Sequence, residues 1–178
     1  VVVLDDHDGV GAGSRAICFA KRTLEICDRL GCGDAMVDHG VVWSLGKVYR
    51  DERQIYDFNL LPEDGHKRPA FINLQQPWFE EYIVDRIRAA CAGGAPIDIR
   101  GMNQVTAIDP RDDHVTLDVD TPDGPYRLVA DWLIACDGAR SPLRGMLGLG
   151  FEGRVFEDNF LIADVTMQVD FPTERRFW

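Results

Sequence analysis

No stretch of this 178-residue chain is apolar for long enough to cross a bilayer, and Val1 to Leu4 is far too short for a signal peptide. Cysteine gives no pattern either. Cys18, Cys27, Cys32, Cys91 and Cys136 are odd in number and contain no C-x-x-C, so neither a disulfide framework nor a zinc site is signalled, and small buried hydrophobes are the simplest reading. His7, His39, His66 and His114 sit in polar or loop-like stretches without i,i+4 pairing, so no helical metal site is spelled out. Positive charge is short as well: 19 Lys and Arg against 30 Asp and Glu leave a net charge of -11, with no basic cluster. That balance argues against nucleic acid and against an anionic membrane surface as partners. What remains is a soluble globular chain, 46% hydrophobic, with enough mass for one full core or a large part of two. A cytoplasmic location is the simplest expectation.

The most informative segment is Ala135 to Leu149, A-C-D-G-A-R-S-P-L-R-G-M-L-G-L. Asp131 to Cys136 is a short apolar run of the kind that fills a buried strand. Ser141 and Pro142 then supply an N-cap and a first-turn proline, and Gly148 closes a short helix. Asp137 and Gly138 therefore stand where a strand hands over to a helix, a junction that binds nucleotides in α/β folds. An isolated Asp-Gly is more often a tight turn chosen for its dihedrals. The fifteen-residue pattern is what sets this one apart.

Val1 to Leu4 reads as another buried strand, followed by Gly9-Val10-Gly11-Ala12-Gly13-Ser14. This only imitates the dinucleotide fingerprint G-x-G-x-x-G, because Ser14 stands where the third glycine belongs and Asp5, Asp6 and Asp8 would repel a pyrophosphate. The better reading makes Val1 to Leu4 the second strand of a Rossmann-type domain and Asp5 the acid that binds the adenosine ribose. On that reading the first strand, its glycine-rich turn and its helix lie upstream of Val1.

Ser14 to Leu30 has helical spacing in Ile17, Ala20, Leu24 and Cys27, and Gly31 ends it. Arg15, a cation at that helix start, suits an anion; a lone exposed arginine is the alternative. Val41 to Leu74 changes to short alternating runs, which read as antiparallel strands. Gln76 and Pro77 open a helix carrying Phe79, Ile83, Ile87 and Ala90 up to Gly93. Pro96 to Arg100, Val105 to Ile108, His114 to Asp120 and Tyr126 to Val129 are strand candidates, with a T-P-D-G turn at Thr121 to Gly124. Phe160 to Val169 alternates like one more strand.

The Asp-Gly segment resembles that of the flavoprotein aromatic hydroxylases, the single-component FAD monooxygenases typified by p-hydroxybenzoate hydroxylase and 3-(3-hydroxyphenyl)propionate hydroxylase. Cys136, in place of a small alanine, and Pro142 depart from the pattern. G-S-R-A-I-C-F-A-K-R-T-L-E-I-C, starting at Gly13, also looks like the family's second helix, and Gln76 with Glu80 matches a glutamine and glutamate pair, in a register uncertain by one against Gln75.

The resemblance implies an α/β fold, α+β mixed, in which a Rossmann-type FAD-binding parallel sheet carries an inserted antiparallel sheet covering the substrate, incomplete at both ends. It places residues 1–40 and 75–150 in the FAD-binding domain, and 41–74 and 151–178 in the substrate domain. It implies that Asp5, Arg15, Gln76, Val105, Asp137 and Gly138 contact FAD, Val105 near the adenine through its backbone. For Val105 the alternative is plain strand packing, and for Gln76 an exposed cap. Trp43, Tyr49, Tyr56 and Phe58 would wall the substrate pocket, although each aromatic taken singly is more often sheet core.

The implied chemistry is reduction of FAD by NAD(P)H, capture of O2 as a C4a-hydroperoxide and hydroxylation of a small aromatic, phenolic substrate, with no residue here assignable as acid or base. The alternatives are a flavin-dependent reductase or halogenase on the same fold, or a truncated non-catalytic remnant. Unpaired sheet edges leave a homo-oligomer open.

Overall fold

The computed structural model describes every residue except Ala12, Ser14, Arg15, Ile162, Asp164, Met167, Val169 and Phe171. In chain order the elements are β1 (Val2–Leu4), β2 (Cys18–Ala20), α1 (Lys21–Leu30), α2 (Gly33–His39), β3 (Val41–Trp43), β4 (Leu45–Arg50), β5 (Arg53–Asn59), β6 (Phe71–Asn73), α3 (Gln76–Ala92), β7 (Asp98–Arg100), β8 (Gln104–Pro110), β9 (Val115–Asp120), β10 (Tyr126–Ala130), α4 (Pro142–Met146) and β11 (Arg175–Phe177). The chain divides into two compact units: Val1–Gly9 with Ile97–Thr166, and Val10–Pro96 with Met167–Trp178.

In the first unit β1 pairs in parallel with β7, Val2 opposite Asp98 and Leu4 opposite Arg100. The strands β8, β9 and β10 form an antiparallel meander, and alternation along β9 sends Val115, Leu117 and Val119 inward. The expected turn at Thr121 to Gly124 is present. Thr121 Oγ1 accepts from Asp123 N and donates to the Gly124 carbonyl, while Gly124 takes a φ of +113° that disfavours any side chain. Leu4, Val105 and Leu133 all pack against the Val115–Leu117–Val119 cluster.

Asp131 to Cys136 departs from its expected strand. It pairs with nothing among the described residues, and Trp132 and Ile134 are 88% and 83% exposed. A buried parallel strand exists only through ladders to its neighbours, and among the described residues this run joins none.

The second unit holds two antiparallel-based sheets, β2–β6–β3 and β11–β4–β5. Its core is Leu24, Cys27, Cys32, Met36, Ile72 and Leu74, with Phe19 stacked on Phe79 at 4.2 Å. Gly31 ends α1 at a φ of +85°, with its N–H and that of Cys32 bonded back to Asp28 and Cys27. Burial pushes the Cys27 thiol up to about 11 and that of Cys32 upward too, so both stay protonated and serve as apolar filling.

Two expectations change here. The helix read from Ser14 begins only at Lys21, because Cys18 to Ala20 joins β6 as a strand. Ile17, Ala20 and Leu24 keep helical spacing across that junction, so periodicity cannot see the break. The strand read from Phe160 to Val169 falls partly on residues outside the description, and its described members belong to no strand. The strand that joins this sheet is β11, further along, parallel to β4. Trp43 and Phe71 stack at 5.0 Å, Tyr49 stacks on Trp178, and Tyr56 lies exposed beside Phe58. No helix among the described residues is long and apolar enough to cross a membrane.

Candidate functional site

Asp5 follows β1 directly, at the carboxyl end of a parallel strand. The backbone on both sides fixes it: its N–H donates to the Arg100 carbonyl at 3.0 Å, and its carbonyl accepts from Asn103 N at 2.8 Å. Its side chain is exposed, with Oδ1 accepting the His7 N–H and Oδ2 bonded to nothing among the described residues. The facing loop is close-packed, since a Cβ on Gly101 would meet the His7 carbonyl oxygen at 2.9 Å, and Met102 sits at a φ of +55°. Asn103 anchors that loop through Nδ2 to the Gly101 carbonyl, and its Oδ1 accepts from the Tyr126 hydroxyl. Arg100 in turn donates to Tyr126 and to Asp98. This Asn103–Tyr126–Arg100 chain was not legible in the sequence, because nothing local links residues that far apart. Val105 lies two residues beyond Asn103, its side chain half-buried against the meander core and its backbone in register with Val119.

Asp137 has a job that the sequence reading did not assign to it. Its Oδ2 accepts from Ser141 Oγ at 2.7 Å and from Leu143 N at 3.0 Å, while Ser141 Oγ accepts from Arg144 N. Pro142, at the first position, has no N–H to satisfy, so the free amides of the start of α4 are taken by these two side chains. The Ser141 hydroxyl, then the Leu143 N–H, hold the Asp137 carboxyl below the usual carboxylate range. Gly138 takes a φ of +81°, and a Cβ there would meet no protein atom within 4 Å. Its chain neighbours aside, the space at that position is open among the described residues. Replacing Ser141 with alanine removes one acceptor from Arg144 N and one donor from Asp137, with an expected loss of about 1 kcal/mol. Urea unfolding of Ser141→Ala against the unsubstituted protein measures it, and an unchanged midpoint would contradict the capping role.

Gln76, in the second unit, is fully engaged on the loop before β2. Its Oε1 accepts from Ala16 N at 3.0 Å, its backbone N–H donates to the Ala16 carbonyl, and its Nε2 donates to Glu80 Oε1 at 2.6 Å. Glu80 Oε2 accepts from Gly11 N at 2.9 Å. The pair at i and i+4 on α3 thus holds the backbone at Gly11 and at Ala16. Arg15 falls between Gly11 and Ala16 in sequence and lies outside the described residues. Asp5, Val105, Asp137 and Gly138 all belong to the first unit.

The first unit thus carries an acid closing a parallel strand and an Asp-Gly turn before a short helix. The family model described as "FAD binding domain" matches residues 1–177. The chain belongs to this FAD-binding-domain family. Para-nitrophenol 4-monooxygenase of Pseudomonas sp. (strain WBC-3) is 29% identical over 176 residues, 93% of this chain and 40% of that protein. A flavin-dependent monooxygenase of Mycobacteroides abscessus is 31% identical over 172 residues, 92% of this chain and 35% of its own. The crystal structure of p-nitrophenol 4-monooxygenase from Pseudomonas putida DLL-E4 superimposes with a TM-score of 0.78 at 30% identity, over 87% of this chain and 39% of that one. These matches bear out the mixed α/β FAD-binding fold expected from the sequence. The chain spans about 30% to 40% of the length of such relatives.

Proposed function

We propose that the protein containing this chain is an NAD(P)H-dependent FAD monooxygenase that hydroxylates a small phenolic compound, and that this FAD-binding domain carries the adenosine side of the cofactor site. The observation that carries the reading is the family match over residues 1–177, together with Asp5 at the carboxyl end of a parallel strand. The named relatives act as monooxygenases, one of them on para-nitrophenol.

The residues fit the group. Asp5 has a carboxylate oxygen unengaged among the described residues, which would accept ribose hydroxyls, and the open space at Gly138 would admit the pyrophosphate beside the backbone. Val105 would offer its backbone to the adenine. Asp137 would hold the Gly138 turn in shape rather than transfer a proton, since it is committed to Ser141 and Leu143. Gln76, with Glu80, would set the loop that carries Arg15 toward the pyrophosphate. In this reading residues 1–40 and 75–150 serve the cofactor and residues 41–74 and 151–178 serve the substrate, in a cytoplasmic enzyme. When bound, FAD supplies the electron and O2 chemistry, and the chain supplies binding and orientation.

The test is made on the full-length protein: NADH or NADPH oxidation and O2 uptake, followed with and without simple phenols. The expected result is oxidation stimulated by the phenol with hydroxylated product in step with O2 consumed. Flavin reduction with no oxygen in the product would overturn it and leave a reductase or halogenase of the same fold.

A further inference from the structure

Met102 sits at a φ of +55° without being a glycine, on the loop between β7 and β8 that faces Asp5. A side chain in the left-handed region persists only where its surroundings over-determine it. That loop grips the segment after β1 through its backbone. Besides the two bonds made by Asp5, Met102 N donates to the His7 carbonyl at 3.2 Å, and Gly101 permits the approach because it carries no Cβ. The place of the Asp5 carboxylate is therefore inherited from the shape of residues 101–103.

That shape is held by a run of hydrogen bonds with one direction. Arg100 Nη1 donates to the Tyr126 hydroxyl at 3.1 Å, the hydroxyl donates to Asn103 Oδ1 at 2.7 Å, and Asn103 Nδ2 donates to the Gly101 carbonyl at 2.7 Å. A guanidinium can only donate, so the phenol oxygen accepts from it and its single proton is left for Asn103. The amide is oriented in turn, with its NH2 on Gly101. Each bond polarises the next, and the guanidinium at the head makes the first one charge-assisted. Arg100 is itself anchored, by Asp98 at 2.7 Å and by the Tyr126 ring, whose centre lies 5.6 Å from the guanidinium carbon.

Tyr126 opens β10, in register with Val119, which is in register with Val105 on its other side. Its ring packs against the meander core. The hydroxyl has no share in that packing, so ring and hydroxyl can be separated by Tyr126→Phe. All of these residues belong to one compact unit.

We propose that Tyr126, through Asn103, is a positioning residue for nucleotide binding: its hydroxyl holds the 101–103 loop in the shape that presents the Asp5 carboxylate at the end of β1. In this role Tyr126 acts through Asp5 and touches no ligand. The inference rests on the function proposed above, in that Asp5 is the acid that meets FAD.

The experiment measures the FAD dissociation constant of the full-length protein, by flavin fluorescence, for the parent, Tyr126→Phe, Asp5→Ala and the double variant, with urea unfolding of each. Tyr126→Phe is expected to weaken FAD about three- to tenfold, the range of one neutral hydrogen bond. In the Asp5→Ala background the same change should move the constant by less than about twofold, because no carboxylate remains to be misplaced. A merely structural role would weaken binding by the same factor in both backgrounds, whatever happens to the unfolding midpoint. Asn103→Ala keeps the backbone N–H on Asp5 and removes the amide, so it reports on the same relay even if Tyr126→Phe folds poorly. It should reproduce the loss and add nothing to that of Tyr126→Phe. Parent-like affinity in Tyr126→Phe and Asn103→Ala, equal losses in the two backgrounds, or additive losses in Tyr126→Phe with Asn103→Ala would each overturn the proposal. An Asp5→Ala protein that binds FAD as the parent does overturns the role given to Asp5 and this inference with it. A large Asp5 effect beside a silent Tyr126 overturns this inference alone.

Discussion

Arg68→Met is expected to destabilise the fold by roughly 2–3 kcal/mol, toward the low end of what removing one partner of a buried ion pair costs. Arg68 is 4% exposed, a guanidinium held almost wholly out of water. Its Nε donates to Asp28 Oδ2 at 2.7 Å, and its Nη2 donates to both Asp28 and Asp34. Asp28 lies in the last turn of α1, where the helix dipole disfavours a negative charge, so it depends on the cations brought by the segment before β6. Lys67, at 3.2 Å, would remain after the substitution and limit the loss.

The sign of the pH dependence follows from Asp28. Arg68 first, then Lys67, hold its carboxyl below the usual value, so the stabilisation is present above the unfolded carboxylate pKa of about 3.9 and disappears as pH falls through the lower folded value. Urea unfolding at neutral pH should show a lower midpoint with an unchanged slope, and the gap between variant and parent should close in acid. A midpoint equal to the parent's at neutral pH would show that the Arg68 network is ornamental.

The sequence spoke most clearly where local chemistry decides the outcome. Alternation along Val115, Leu117 and Val119, the Thr121–Gly124 turn, the Ser141 cap with Pro142, and Gly31 at the end of α1 each follow from a few adjacent residues, and each is present. Pairing across distance was the blind spot. Cys18 to Ala20 becomes a strand only because Phe71 to Asn73 lies beside it, and Asp131 to Cys136 has a strand's composition but no ladder to join. The same division runs through the candidate site. Asp5 was legible as an acid closing an apolar run, and Gly138 as a glycine in a turn. The Asn103–Tyr126 support beneath Asp5 arises from residues brought together by the tertiary fold, and the use of Asp137 as a helix cap from a turn geometry that composition does not spell out.

Gly138→Val and Asp5→Ala are expected to produce the largest functional losses, for different reasons. At Gly138 the φ of +81° strains any side chain by roughly 1–2 kcal/mol, yet no protein atom lies within 4 Å of the Cβ position. A loss of flavin much greater than the loss of stability would therefore come from ligand occupying that space. At Asp5 the side chain is exposed and its Oδ1 accepts the His7 N–H two residues on, a local surface bond, so alanine should leave the fold largely intact. If its carboxylate accepts two ribose hydroxyls, at about 1.5–3 kcal/mol for each hydrogen bond to a charged group, FAD affinity should fall by at least tenfold for each bond lost.

The central claim, that this chain holds the adenosine end of FAD through the carboxyl edge of β1, is tested most directly by the FAD dissociation constant of the full-length protein with and without Asp5→Ala, read from flavin fluorescence on titration into the flavin-free form. The account predicts tight binding in the parent and a loss of tenfold or more in a variant with unchanged unfolding behaviour. Equal dissociation constants for the two proteins would contradict it.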